Sequence, residues 1–279
     1  MSPPRAERRR WLAAALLGLA LPAQGHEFWM LPHSFMVEPG ASTALFLSVG
    51  ESFLGERVGM AQTNVAAFAR IAQGRRTDLL PALPRSQPVG EWRVELPQRG
   101  LHLFALDTRP NEIVLEAGKF HSYLRDEGLE AVIAQREASG RAADPGRERY
   151  RRHLKSLLLA GPTSDAGWSA RTGQRLELIP LNDPYRLAPG GELGLQVMFE
   201  GRPLAGALLK CWHRRAGRTE IVMARTDAAG RASLRLPWAG VWMASVVHMV
   251  PVADSQHYDW DSFWGNLSFS LPAAPLQPL

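Results

Sequence analysis

ELGLQVMFEGRPLAGALLKCWHRRAGRTEIVMARTDAAGRASLRLPWAGVWMASVVHMV, residues 192–250, is the stretch whose reading decides the fold. Apolar runs at 192–199, 205–212, 219–225, 232–236 and 241–250 are separated by Gly201-Arg202-Pro203, Ala216-Gly217 and a turn from Asp227 to Gly230. Short runs rich in Val, Leu, Phe and Trp, closed by Gly and Pro, are strand signals. A run at 176–181, the turn Pro189-Gly190-Gly191 and a last run at 267–271 extend the pattern on both sides. The spacing predicts an immunoglobulin-like or transthyretin-like β-sandwich over residues 174–273.

Upstream the same punctuation recurs. Runs at 43–49, 67–73, 92–96, 101–107 and 113–116 read as strands, and Gln73-Gly74 reads as a hairpin turn. From Lys119 to Glu137 the period changes: Phe120, Tyr123, Leu124, Leu129, Val132 and Ile133 fall near 3.6-residue spacing, interrupted by Gly128. Residues 147–159 begin with helix-favouring side chains, so the helical insertion is expected over about 119–155. The small, polar interval 161–173 is the expected boundary, giving an N-terminal β-rich domain over 26–162. The expected class is mainly β, with two sandwich-like domains and a short helical insertion at the end of the first.

The beginning of the chain reads as a secretory signal peptide, residues 1–25. Arg8, Arg9 and Arg10 precede an apolar run at 11–21, and Ala23-Gln24-Gly25 puts small residues at the cleavage positions. That run is short of the roughly 20 apolar residues needed to span a bilayer. The expected product is soluble and periplasmic or secreted, and begins with His26. Four arginines and one glutamate lie in the leader, so the net charge of +5 falls to +2 without it. No basic tract with interleaved aromatics remains, so nucleic-acid binding finds no support. The single cysteine, Cys211, excludes an internal disulfide and reads as a small buried strand residue.

Seven segments carry a family resemblance. They are His26-Glu27-Phe28-Trp29, FHSYLRDEGL at 120–129, residues 147–155, Pro180-Leu181-Asn182-Asp183-Pro184-Tyr185, FEGRPLAGA at 199–207, Thr226-Asp227-Ala228-Ala229-Gly230 and Asp261-Ser262-Phe263-Trp264. In this order they resemble the periplasmic proteins grouped as domain of unknown function 4198. The resemblance covers about residues 26–271. It implies a secreted β-rich protein that handles a transition metal, since members are associated with nickel and cobalt uptake. The C-terminal half also resembles carboxypeptidase-regulatory and transthyretin-like modules, whose Pro-Leu-x-Gly-Ala and Thr-Asp-x-x-Gly signatures mark turns.

A first-residue histidine offers its α-amino nitrogen and its ring Nδ1 to one ion. Both nitrogens lose their protons readily near neutral pH. One further imidazole gives a three-nitrogen site suited to Cu(II) or Ni(II), and less demandingly to Co(II) or Zn(II). His248, at the end of the longest apolar strand, is the expected partner and His257 the reserve, with Asp259 and Asp261 as groups that could orient an imidazole. His102, His153 and His213 read as structural, and His121 as a surface residue. No Gly-x-Ser-x-Gly, Walker loop, His-Glu-x-x-His or paired-cysteine motif is present. The expectation is therefore a non-enzymatic metal-binding protein using His26, His248 and His257, with nickel, cobalt or copper as its ion and an inner- or outer-membrane metal transporter as its partner. The alternatives are a β-sandwich interaction module without a metal role and, less favoured, a copper-dependent oxidase.

Overall fold

A computed structural model describes residues 27–253 and 255–276. The leader and His26 lie outside the described residues. In chain order the strands are β1 (Glu27–Pro32), β2 (Met36–Val37), β3 (Ser42–Glu51), β4 (Leu54–Val58), β5 (Val65–Ala72), β6 (Arg75–Asp78), β7 (Trp92–Glu95), β8 (Gly100–Thr108) and β9 (Asn111–Leu115). Helices α1 (Ala117–Asp126) and α2 (Glu130–Ala138) follow, then β10 (Gly146–Ala160), β11 (Leu176–Pro180), β12 (Glu192–Phe199), β13 (Arg202–Pro203) and β14 (Leu208–Arg215). The chain closes with β15 (Arg218–Arg225), β16 (Arg231–Arg235), β17 (Gly240–Pro251) and β18 (Trp260–Leu271). The protein is mainly β and sandwich-like.

The layers are shared between the halves. One sheet of ten strands runs β15-β14-β17-β18-β10-β8-β5-β6, with β2 and β9 also on β10. Its two faces are covered by different parts of the chain. On one face Met30, Leu45, Leu47 and Val94 of the β1-β3-β4-β7 sheet meet Phe104, Leu106, Leu154 and Leu158. On the same face the two helices press Phe120, Leu124 and Val132 against Val247, Met249 and Trp260. On the other face Leu178, Leu193, Leu195, Val197 and Leu234 of the β11-β12-β13-β16 sheet meet Leu157, Cys211, Trp242, Phe263 and Leu267. The period-2 alternation of β-strands delivers both sets from the same strands.

The expected division at 161–173 does not separate two sheets. β10 pairs in parallel with β18, from Glu148 beside Trp260 to Ser156 beside Ser268. The first half of the chain is thereby bonded to its last strand.

A second difference concerns residues 147–159, expected to be helical. They form β10, and the helices end at Ala138. Helix propensity is a weak preference that tertiary context overrides. Here Arg147, Arg149 and Arg151 alternate with Glu148, Tyr150 and Arg152, while residues 153–160 are buried on both faces, which suits a central strand. The Gln73-Gly74 turn joins β5 to β6 with positive φ at both residues, 50° and 72°. That is the backbone twist a two-residue hairpin requires.

Candidate functional site: a polar cleft where β1 begins

Glu27, the first described residue, starts β1 against the helix-covered face of the large sheet. Its carboxylate accepts a hydrogen bond from Ser245 of β17 at 3.1 Å, and Ser245 accepts one from Trp212 Nε1 at 2.9 Å. Lys210, two residues before Trp212 and on the same face of β14, pairs with Glu127 at 2.8 Å. Glu127 follows α1 directly. It is turned inward because Gly128 breaks the helical path with φ +67°, where a Cβ would lie 2.7 Å from Leu208. The interruption legible in the sequence is what delivers this carboxylate.

Glu27, Glu127, Lys210 and Trp212 line a cleft of about 430 Å³ together with Glu51, Lys119 and Asp126. Four carboxylates face two lysines in that lining, so the cleft favours cations. Burial pushes Glu27 up to about 7, with Glu127 adding to the rise and Lys210 opposing it. Glu127 is also raised by burial, against the pull of Lys210.

Deeper under α1, Glu148 of β10 accepts hydrogen bonds from Ser262 and, at 3.4 Å, from the Tyr123 hydroxyl. Burial pushes it up to about 6. Asn266 donates to the carbonyl of Phe28, fixing the residue next to Glu27, while its own Oδ1 has no partner among the described residues. Arg152 lies over the rings of Phe28 and Tyr150 at 4.8 and 4.7 Å.

The expected metal ligands are not brought together among the described residues. His248 packs edge-on against Phe199, ring centroids 4.4 Å apart, on the face of the sheet opposite to Ser245. Burial pushes its imidazole down. His257 is exposed in the loop that begins at Val252, four residues or about 13 Å along the chain beyond His248. Asp259 and Asp261 serve arginines rather than imidazoles: Asp259 pairs with Arg147 at 2.7 Å and Asp261 with Arg149 at 2.5 Å. No group of three His, Cys, Asp or Glu able to hold an ion occurs among the described residues.

The histidines read as structural are bonded internally. His102 reaches the Gln98 carbonyl at 2.8 Å, His153 reaches Asp107 at 2.8 Å, and His213 reaches the Val241 carbonyl at 2.8 Å. Cys211 is fully buried, and burial pushes its thiol far up. Sequence reasoning missed Glu127, Glu148 and Lys210. A signal existed for each: Glu127 and Glu148 fall within the resembling segments, and Lys210 interrupts the apolar run Ala207-Leu208-Leu209-Lys210-Cys211-Trp212.

A family model described as domain of unknown function (DUF4198) matches residues 23–250, most of the chain and all of the residues that line the cleft. The chain belongs to the DUF4198 family. No curated protein matches this DUF4198 chain. Among solved structures it is similar to trypsin-activated alpha-2-macroglobulin from Escherichia coli, at 11% identity and a TM-score of 0.21, covering 91% of this chain and 16% of that one. It is also similar to the three N-terminal domains of the Hoc outer capsid protein of bacteriophage RB49, at 9% identity and a TM-score of 0.18, covering 88% and 59%. The chain thus spans less than two thirds of the length of either. At these TM-scores the likeness carries no argument about the DUF4198 chain. No helix among its described residues is long and apolar enough to cross a membrane.

Proposed function

We propose that the protein is an extracytoplasmic, non-enzymatic metal carrier. It captures Ni(II), Co(II) or Cu(II) as cargo through a mature N-terminal His26 and presents it to a membrane transporter. The observation that carries this reading is the anchoring of Glu27. Its backbone starts β1, its carboxylate accepts from Ser245, and the carbonyl of Phe28 accepts from Asn266. Adjacent Cα atoms are about 3.8 Å apart, so the donors of a first residue at position 26 start within one residue of a cation-favouring cleft.

The described residues fit a cargo ion only in part. Glu27 and Glu127 offer oxygen, and Lys210 already neutralises one of them. A terminal amine and imidazole add the two nitrogen donors that nickel, cobalt and copper favour over an all-oxygen site. His248 and His257 lie away from this cleft, so the reading rests on His26 with the cleft carboxylates.

The test is calorimetric titration of Ni(II), Co(II) and Cu(II) into protein beginning at His26, into His26→Ala, and into protein with one glycine placed before His26. Loss of affinity by about 100-fold or more is expected in both altered forms, since even groups outside the first ligands cost about 10- to 100-fold. Equal affinity in all three forms overturns the reading.

A second reading, a β-rich interaction module, is favoured by β15. This strand is an edge of the large sheet and exposes Ile221 and Met223. It expects no metal dependence of any property.

A further inference from the structure

The face of the large sheet opposite to the cleft ends in a cluster of guanidinium groups that the metal reading does not use. Arg149 and Arg151 project from β10, with Asp261 and Phe263 beside them in register on β18. Arg175, just before β11, reaches in from the facing sheet. The Arg175 guanidinium lies 4.4 Å from the centre of the Phe263 ring, and that of Arg151 lies 5.1 Å from the same centre. Two cations therefore share one aromatic ring, whose edge is walled by Phe199 at 5.0 Å.

The acceptors near them are largely consumed. Asp261 Oδ1 accepts from Arg149 Nε at 2.6 Å, and Oδ2 accepts from Arg149 Nη2 at 2.5 Å. Among the described residues Arg151 keeps one longer bond, Nη2 to Asp261 Oδ1 at 3.2 Å, and its buried Nε has no acceptor. Arg175 pairs with Glu200, whose side chain is 51% exposed and therefore strongly screened by water. Around these three guanidinium groups lie Asp261 and Glu200, with Glu112 of β9 in register beside Arg149. Burial pushes the Arg151 guanidinium down; Asp261 opposes this, while Arg149 and Arg175 add to it. Two neighbouring guanidinium groups, each with one carboxylate partner and with Arg151 largely out of water, are stabilised further when an anion joins them.

We propose that Arg151 and Arg175, set around the shared ring of Phe263, bind a small oxyanion, a carboxylate or phosphate group. The guanidinium fork presents paired N–H donors that match two oxygens of either group. An oxyanion between them supplies the acceptors that Arg151 lacks and cancels the repulsion between the two cations. The Arg175 side chain is 42% exposed, so the anion has access from solvent. The site uses no residue of the cleft and stands whether or not the protein binds metal.

The experiment is titration of inorganic phosphate and, separately, of acetate into the full protein at constant ionic strength set with chloride. Binding is read by calorimetry and by the arginine Nε–H resonances. A saturable response to at least one anion that moves the Arg151 and Arg175 resonances is expected. Arg175→Gln and Arg151→Gln should each weaken it by about tenfold, the scale of one charge-assisted hydrogen bond. Arg175 is exposed enough for its variant to fold, which circular dichroism checks. Tighter phosphate binding assigns a phosphoryl ligand, and tighter acetate binding a carboxylate. A non-saturable response to both anions, or unchanged affinity in both variants, overturns the proposal.

Discussion

Tyr123 of α1 lies flat on Trp264 of β18, with ring centroids 5.5 Å apart and planes 8° from parallel, while its hydroxyl donates to Glu148 of β10 at 3.4 Å. One side chain thus ties the helical insertion to both strands of the parallel junction. Tyr123→Ala is expected to cost about 3–5 kcal/mol, as truncation of a buried aromatic does. Tyr123→Phe keeps the stack and loses only the hydroxyl, about 1 kcal/mol. Urea unfolding of the two variants checks the ratio, and equal losses would show that the stack contributes little.

Glu148 makes stability depend on pH in a defined window. Its folded-state value is raised from 4.5 to about 6, so between these values the folded protein holds a proton that the unfolded chain has released. Stability from this group is therefore fully present below pH 4.5 and is lost as pH rises through about 6, a change of about 2 kcal/mol. Glu148→Gln should remove that slope. Comparing parent and variant isolates it from Glu27, which is pushed up to about 7 and titrates higher. Urea midpoints at pH 4.5, 5.5 and 6.5 decide the matter.

Lys155 of β10 crosses the core to the smaller sheet, donating to Glu177 at 2.6 Å and to the Leu178 carbonyl at 3.0 Å. Burial holds Lys155 down to about 8. Burial alone would raise Glu177, but Lys155 and Thr172 outweigh it and hold the carboxylate low. Lys155→Met strands a buried carboxylate and should cost about 3–5 kcal/mol, whereas adding Glu177→Gln should recover much of the loss. A double-mutant cycle in urea measures the recovery; none would mean that the pair is not coupled.

His248 and the start of β1 contact opposite faces of the large sheet, so His248→Ala should leave Ni(II) and Cu(II) affinity within about twofold of the parent, while His26→Ala does not. A large loss in His248→Ala, read in the same titration, would restore the pairing that the sequence suggested.

Strands were legible wherever alternation and turn chemistry agreed. The runs of the C-terminal half fall on β11, β12 and β14 to β18, and Gln73-Gly74 falls on its hairpin. Residues 147–159 misled because local propensity cannot register a partner 112 residues away. The arginines at 147 and 149 match the spacing of Asp259 and Asp261, and only the parallel pairing gives that match meaning. The cleft was half legible. Gly128 marked the break that turns Glu127 inward, but nothing local says that Lys210 waits on the other side. The ranking of His248 used its place on a strand alone, whereas the face that β1 covers is a property of sheet order rather than of any strand.

The bonding of residues 148–156 to residues 260–268 has a kinetic consequence. Until the C-terminal strand arrives, the edge of β10 away from β8 and β9 is bare along residues 148–156. Completing the large sheet must wait for nearly the whole chain, a distant pairing of the kind that slows folding. A nascent chain stopped at the Gly161-Pro162 turn would remain open to proteases. Supplying the missing C-terminal portion as a separate polypeptide should rescue it.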